Sequence, residues 1–147
     1  MKLSTKGRYG LRIMVELATR FGKGPIVVDI IAESQGLSAK YIHVLMGGLR
    51  NAGLINTIRG PRGGYELAKA PQEISALDVV VALEGSITPV GCVGMDHVCE
   101  FERGCVTRQV WEEMGHAIEE TLRRYTLQTL AIKQLKLRGG DPNMFYI

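Results

Sequence analysis

Three thiols carry the clearest chemistry in this 147-residue chain. Cys92, Cys99 and Cys105 are its only cysteines, and all lie within one short stretch that also contains Gly91, Gly94 and Gly104. Structural thiols are more usually scattered through a core, and an odd number does not suit a disulfide framework. Zinc favours cysteine pairs two to four residues apart, whereas the gaps here are six and five residues. His97 would complete a Cys₃His set. Thiolates on a glycine-bearing loop suit an iron–sulfur cluster, which tolerates a non-cysteine ligand at some positions. The spacing favours the cluster and leaves a zinc site, a thiol redox switch and plain structural thiols as alternatives.

A second chemistry is charge. Arg59-Gly-Pro-Arg62 opens a glycine-rich turn between two short apolar runs, Leu54–Ile58 and Tyr65–Ala68. Arginines on such a tip suit a narrow minor groove, and Gly60 lets backbone approach a phosphate chain. Lys2, Lys6, Arg8, Lys40 and Arg50 add cations on neighbouring segments, where phosphate neutralisation would supply sequence-independent affinity. Residues 1–70 hold 11 Lys/Arg against 4 Asp/Glu, and residues 71–147 hold 7 against 11. The formal charge of +3 thus conceals a basic front half and an acidic rear half, the asymmetry expected when one end meets a polyanion. No phosphate-binding loop, Ser/His/Asp order or supported carboxylate pair is present, and three histidines build little, so an enzyme is not expected.

The elements that position these residues follow from caps and breakers. Ser4 or Thr5 starts a helix running to about Phe21, broken by Gly22-Lys-Gly24-Pro25. Asp29 caps a short helix, Ile30–Gln35, that Gly36 ends. Ser38 caps a third helix, Ala39–Ala52, with Ile42, Leu45, Met46 and Leu49 inward and Gly53 as its stop. Two helices joined through Gly36-Leu37-Ser38 and followed by a basic hairpin form a winged helix-turn-helix. In that geometry the N-terminal residues of the second helix meet base edges: here Ser38, Lys40, Tyr41 and His43, with packing as the alternative role of Tyr41. Ser75 caps a fourth helix, Ala76–Leu83.

A long helix over about Val106–Arg124 carries Val110, Trp111, Met114, Ile118 and Leu122 at three- and four-residue spacing. In so small a chain that stripe is expected to pack on its twin, and a homodimer would present two recognition helices to a pseudo-palindromic operator in double-stranded DNA. Leu127–Leu137 forms a further helix before a tail. The expected fold is mainly α with a small β-wing: a winged helix-turn-helix DNA-binding domain over residues 1–84, a cysteine loop over 85–105, and dimerisation helices and tail over 106–147.

With 46% apolar and 22% charged residues the composition is globular. The apolar runs fall far short of a membrane span. Residues 1–21 carry Lys2, Lys6, Arg8, Arg12 and Glu16, unlike a signal peptide, so a cytoplasmic location and no membrane partner are expected.

The N-terminal run Met1-Lys-Leu-Ser-Thr-Lys-Gly-Arg-Tyr-Gly10, the wing Arg59-Gly-Pro-Arg-Gly-Gly-Tyr65 and the three-cysteine loop before a long helix together resemble the bacterial IscR family, which also contains NsrR and CymR. The resemblance spans Met1 to about Leu137. It implies a homodimeric transcriptional repressor holding a 2Fe–2S cluster on Cys92, Cys99 and Cys105, reporting iron–sulfur status and controlling cluster-assembly genes. An NsrR-like nitric oxide sensor, or a zinc or thiol-switch regulator of the same fold, is the alternative. Two positions depart from IscR: Arg108 stands where IscR has a histidine after its third cysteine, and His43 stands where it has a glutamate on the recognition helix. The fourth ligand would then come from His97, from a loop carboxylate (Asp96, Glu100 or Glu102), or from outside the subunit, where Glu16 is the only carboxylate of the partner's first helix.

Overall fold

A computed structural model describes residues 2–94 and 99–139. Helices α1 (Thr5–Thr19), α2 (Val28–Gln35) and α3 (Ala39–Asn51) precede strands β1 (Ile55–Ile58) and β2 (Gly64–Leu67). Helices α4 (Ala76–Glu84), α5 (Arg108–Arg124) and α6 (Leu127–Leu137) follow, with 3-10 turns at Pro71–Glu73 and Glu102–Gly104. The fold is mainly helical with one two-stranded antiparallel sheet, as the caps and breakers predict.

Side-chain caps set the helix starts. Ser4 Oγ accepts from the Lys6 amide, Ser38 Oγ from Tyr41, Ser75 Oγ from Asp78 and Thr126 Oγ1 from Thr129, each satisfying one otherwise unpaired amide of a first turn. Gly36 at φ 64° ends α2 in the left-handed conformation that opens the turn into α3. Helix α2 begins earlier than its Asp29 suggests. Ile26 exchanges backbone hydrogen bonds with Tyr65 of β2 at 2.8 and 2.9 Å, which holds the chain extended up to Val27, and the helix starts at the next residue. Asp29 then lies in the first turn, where it complements the helix dipole. Helix α1 stops at Thr19, two residues short of Phe21, and α5 begins at Arg108 rather than Val106.

The core lies between α1 and α3. Ile13, Met14, Leu17 and Ala18 pack with Ile42, Leu45, Met46 and Leu49, joined by Ile31, Ile55, Leu67, Ile74 and Val79. Gly7 and Gly10 bring α1 close to α4: a Cβ at Gly10 would stand 2.0 Å from Leu83 Cδ1, and one at Gly7 2.6 Å from Glu84 Oε1. Helix α6 does not extend away with α5. Leu127 and Ala131 are fully buried in the same core, and the turn before α6 is pinned by Leu127 N–H to Ile74 O and Ala76 N–H to Tyr125 O, both 2.8 Å. The first domain's core is therefore closed by a helix that sequence reasoning places among the dimerisation elements. Leu11 and Val15 of α1 pack half-buried against this core beside α6.

Helix α5 differs from the rest. It has no buried residue; Val110 is 54% and Met114 38% exposed, and Trp111, Ile118 and Leu122 are only partly covered. Among the described residues α4 meets α5, yet no residue of the stripe is buried.

Candidate nucleic-acid interface and cysteine loop

The predicted DNA-facing residues occupy both ends of α3, the start of α1 and the wing. Lys6, Arg8, Lys40, Arg50, Arg59, Gly60 and Arg62 are all exposed. The wing tip is formed by backbone geometry. Gly60 has φ 109° and its carbonyl accepts from the Gly63 amide at 2.9 Å. At Gly64, φ 151°, a Cβ would lie 2.2 Å from Ile26 O, so only glycine lets β2 dock on the strand-like Ile26. The arginines are thus held at the end of a ribbon fixed at its base.

Helix α3 presents its residues unequally. Ser38 is engaged as the cap, while Lys40 is exposed. Tyr41 turns back onto α1: its ring meets Tyr9 edge-on at 6.2 Å, and its hydroxyl donates to Thr5 Oγ1 at 3.3 Å. Packing, the alternative role of this residue, is what the geometry shows. His43 is tied to the wing, with Nδ1 2.6 Å from the Tyr65 hydroxyl. Burial pushes the Tyr65 phenol up, against the pull of the nearby Arg50 charge. With Nδ1 engaged by the phenol, Nε2 is the ring nitrogen left for a base edge. Arg8 and Arg12 both lie over the Tyr9 ring, at 5.7 and 5.6 Å. Tyr9 and Arg12, which the sequence did not mark as site residues, thereby support Tyr41. Their i, i+3 spacing on α1 was the available signal, without meaning until Tyr41 was known to approach.

Glu84 was also missed. Its Oε1 accepts from the Gly7 amide at 2.9 Å and from Ser4 Oγ at 2.5 Å, fixing the basic start of α1 to the end of α4.

In the cysteine loop, Cys92, Cys99 and Cys105 are half-buried and none forms a disulfide. The Cys105 thiol is drawn below its ordinary pKa by Thr107, whose Oγ1 lies 3.3 Å from Sγ, assisted by the Arg108 backbone amide. Arg108 bonds Glu102 at 2.9 Å and Glu112 at 2.7 Å, strapping the loop to α5. These carboxylates hold its pKa above the ordinary guanidinium value, so it remains a cation and is no ligand. The donor set is chemically suited to a thiophilic metal group. Among the described residues no three His, Cys, Asp or Glu side chains converge, so the sulfurs are not gathered as a preformed site. His97 and Asp96 lie outside the described residues. Glu102 is engaged by Arg108. Glu16 does not suit the role of a ligand to a partner subunit: it is 2% exposed and accepts from Ser34 Oγ and Gln35 Nε2 within its own subunit, each at 2.5 Å.

Among the described residues no helix is long and apolar enough to cross a membrane. The family model for Rrf2, described as iron-dependent transcriptional regulators, matches residues 3–133. The chain is similar to the transcriptional regulator CymR of Bacillus subtilis, at 45% identity over 149 residues and the full length of both proteins. The solved structure of CymR, titled as the global cysteine regulator of B. subtilis, superposes with TM-score 0.77 at 44% identity, covering 89% of this chain and 96% of that one. T. potens IscR superposes with TM-score 0.74 at 36% identity, covering 99% and 97%. These relatives are transcriptional regulators and not enzymes, and their winged-helix fold is the one seen here. The chain belongs to the Rrf2 family of transcriptional regulators.

Proposed function

We propose that the protein is a homodimeric repressor whose DNA affinity is set by the state of its cysteine loop. The carrying observation is the placement of that loop: three unpaired thiols end at Cys105, three residues before the first residue of α5, and Arg108 locks the loop to that helix. Helix α5 presents an apolar stripe with no buried residue, and a twin α5 is its natural cover. Two wings and two α3 helices would then face a pseudo-palindromic operator, with Arg59 and Arg62 toward the minor groove, and Lys40 and His43 toward the major groove. Lys6, Arg8 and Arg50 would neutralise phosphates.

Cys92, Cys99 and Cys105 would hold a 2Fe–2S cluster, with His97 as the favoured fourth ligand; when bound, it supplies a one-electron redox centre that oxidants and nitric oxide attack. The protein's own part is positional. Thr107 and Arg108 favour the thiolate at Cys105, and the Arg108 ion pairs carry any rearrangement of the loop into the first turn of α5. A change at α5 alters the spacing of the two recognition helices and hence the DNA-competent population. The full-length similarity to CymR favours a second reading, in which the same loop is a thiol switch in a regulator of cysteine metabolism. Anaerobic purification separates them. Visible absorption with bound iron and sulfide, abolished in Cys92→Ala, Cys99→Ala and Cys105→Ala, supports the cluster; colourless protein with free thiols or stoichiometric zinc excludes it.

A further inference from the structure

One unexplained feature lies away from both wing and cysteines. Helix α1, the end of α2 and helix α6 enclose an open cleft of about 380 Å³. Its rim bears Arg8, Arg12, Lys133 and Arg138, and its apolar wall includes Leu11 and Leu130. Glu16 and Gln35 line the same cleft. Both are at least nine-tenths buried, yet Glu16 Oε1 and Gln35 Oε1 take no hydrogen bond. Arg20 reaches Glu16 Oε1 only at 3.8 Å, from a largely exposed side chain. Buried acceptors are normally satisfied, and each exception asks for a reason.

The combination is selective. A cationic rim calls for a carboxylate; two unused acceptors, one on a charged group, call for an ammonium; the apolar wall calls for an aliphatic side chain. We propose that this cleft is an effector site for a small zwitterion, an α-amino acid with an aliphatic side chain. Its carboxylate would lie among Arg12, Lys133 and Arg138, and its ammonium at Glu16 Oε1 and Gln35 Oε1.

The site is wired to the DNA-reading helix by two routes. Arg8 and Arg12 both hold Tyr9, which packs on Tyr41 of α3. Gln35 is the last residue of α2, directly before the Gly36 turn into α3. An occupant that draws the arginines inward or satisfies Gln35 would bind one orientation of α3 better than another, the condition for shifting operator affinity. The cysteine loop takes no part, so the proposal stands independently of any cluster.

Isothermal titration of the full chain with L-leucine tests it, alongside isocaproate, which lacks the ammonium, and leucinamide, which lacks the carboxylate. The expected result is saturable binding of one leucine per chain, weakened at least tenfold for each analogue. The same weakening is expected in an Arg12→Ala/Lys133→Ala variant, with far-ultraviolet circular dichroism showing that it remains folded without its contacts to Tyr9 and Tyr125. No heat from L-leucine, L-isoleucine or L-methionine at millimolar concentration would overturn the proposal. So would isocaproate binding as tightly as leucine, which reduces the cleft to an anion patch, or leucine binding that ignores the rim variant.

Discussion

Leu127→Ala tests the finding that α6 closes the core of the winged domain. Leu127 is fully buried, among the largest buried side chains of the molecule, and its amide is fixed to Ile74 O. Truncation removes three carbons' worth of apolar burial, about 2.4 kcal/mol at ~0.8 kcal/mol per methylene. A cavity contribution follows because the pinned backbone cannot collapse inward, for a total near 3 kcal/mol within the ~2–5 kcal/mol range of such substitutions. For a chain of this size that corresponds to a fall in melting temperature of roughly 6–12 °C, at about 2–4 °C per kcal/mol. The comparison is Leu137→Ala, ten residues along the same helix but 84% exposed, which should change stability by less than ~0.5 kcal/mol. Urea unfolding of wild type and both variants at one fixed protein concentration measures this, because association would otherwise shift the apparent stability. Equal, small effects for Leu127 and Leu137 would show that α6 is not docked on the core and would refute the packing argument.

Arg59→Ala should weaken operator binding by about 1–3 kcal/mol, more on A·T-rich than on G·C-substituted sites, as read by fluorescence anisotropy. Met114→Glu places a charge in the middle of the exposed α5 stripe and should yield monomers by sedimentation velocity while the far-ultraviolet circular dichroism is retained; an unchanged dimer would mean that α5 is not the interface. Because Cys105 has a lowered pKa in the folded chain, its thiolate is favoured by folding: the contribution is present above the unfolded thiol pKa and is lost as pH falls through the folded value. Alkylation of Cys105 in metal-free protein should therefore reach half-maximal rate at lower pH than in urea, and Thr107→Val should move that midpoint upward.

How much was legible depended on whether a signal was local. Ser38, Ser75, Gly36 and Gly53 mark helix ends through their own backbone chemistry, and the elements they bound stand where the sequence places them. The start of α2 did not follow from Asp29, because a pairing with Tyr65, far along the chain, overrides the local cap. The same limit applies at the site. Exposure of Arg59 and Arg62 follows from a glycine-rich turn, whereas the engagement of Tyr41 by Tyr9, and of His43 by Tyr65, requires knowing which helices and strands meet. Glu16 shows the gap most sharply: as sequence it is a carboxylate on an amphipathic helix, available in principle to a metal. In the fold it is buried beneath Ser34 and Gln35. The stripe on α5 was legible for the opposite reason, since its periodicity is local and no described residue of it is buried.

On the proposed function, the cysteine loop governs DNA binding through α5. The direct measurement is the operator affinity of anaerobically purified dimer, by anisotropy at fixed salt, before and after removal of its loop-bound group by an iron chelator, with the Cys92→Ala variant alongside. Removal should change the affinity at least tenfold, with Cys92→Ala matching the stripped protein from the outset. Identical affinity for the loaded, stripped and Cys92→Ala proteins at every operator would contradict it.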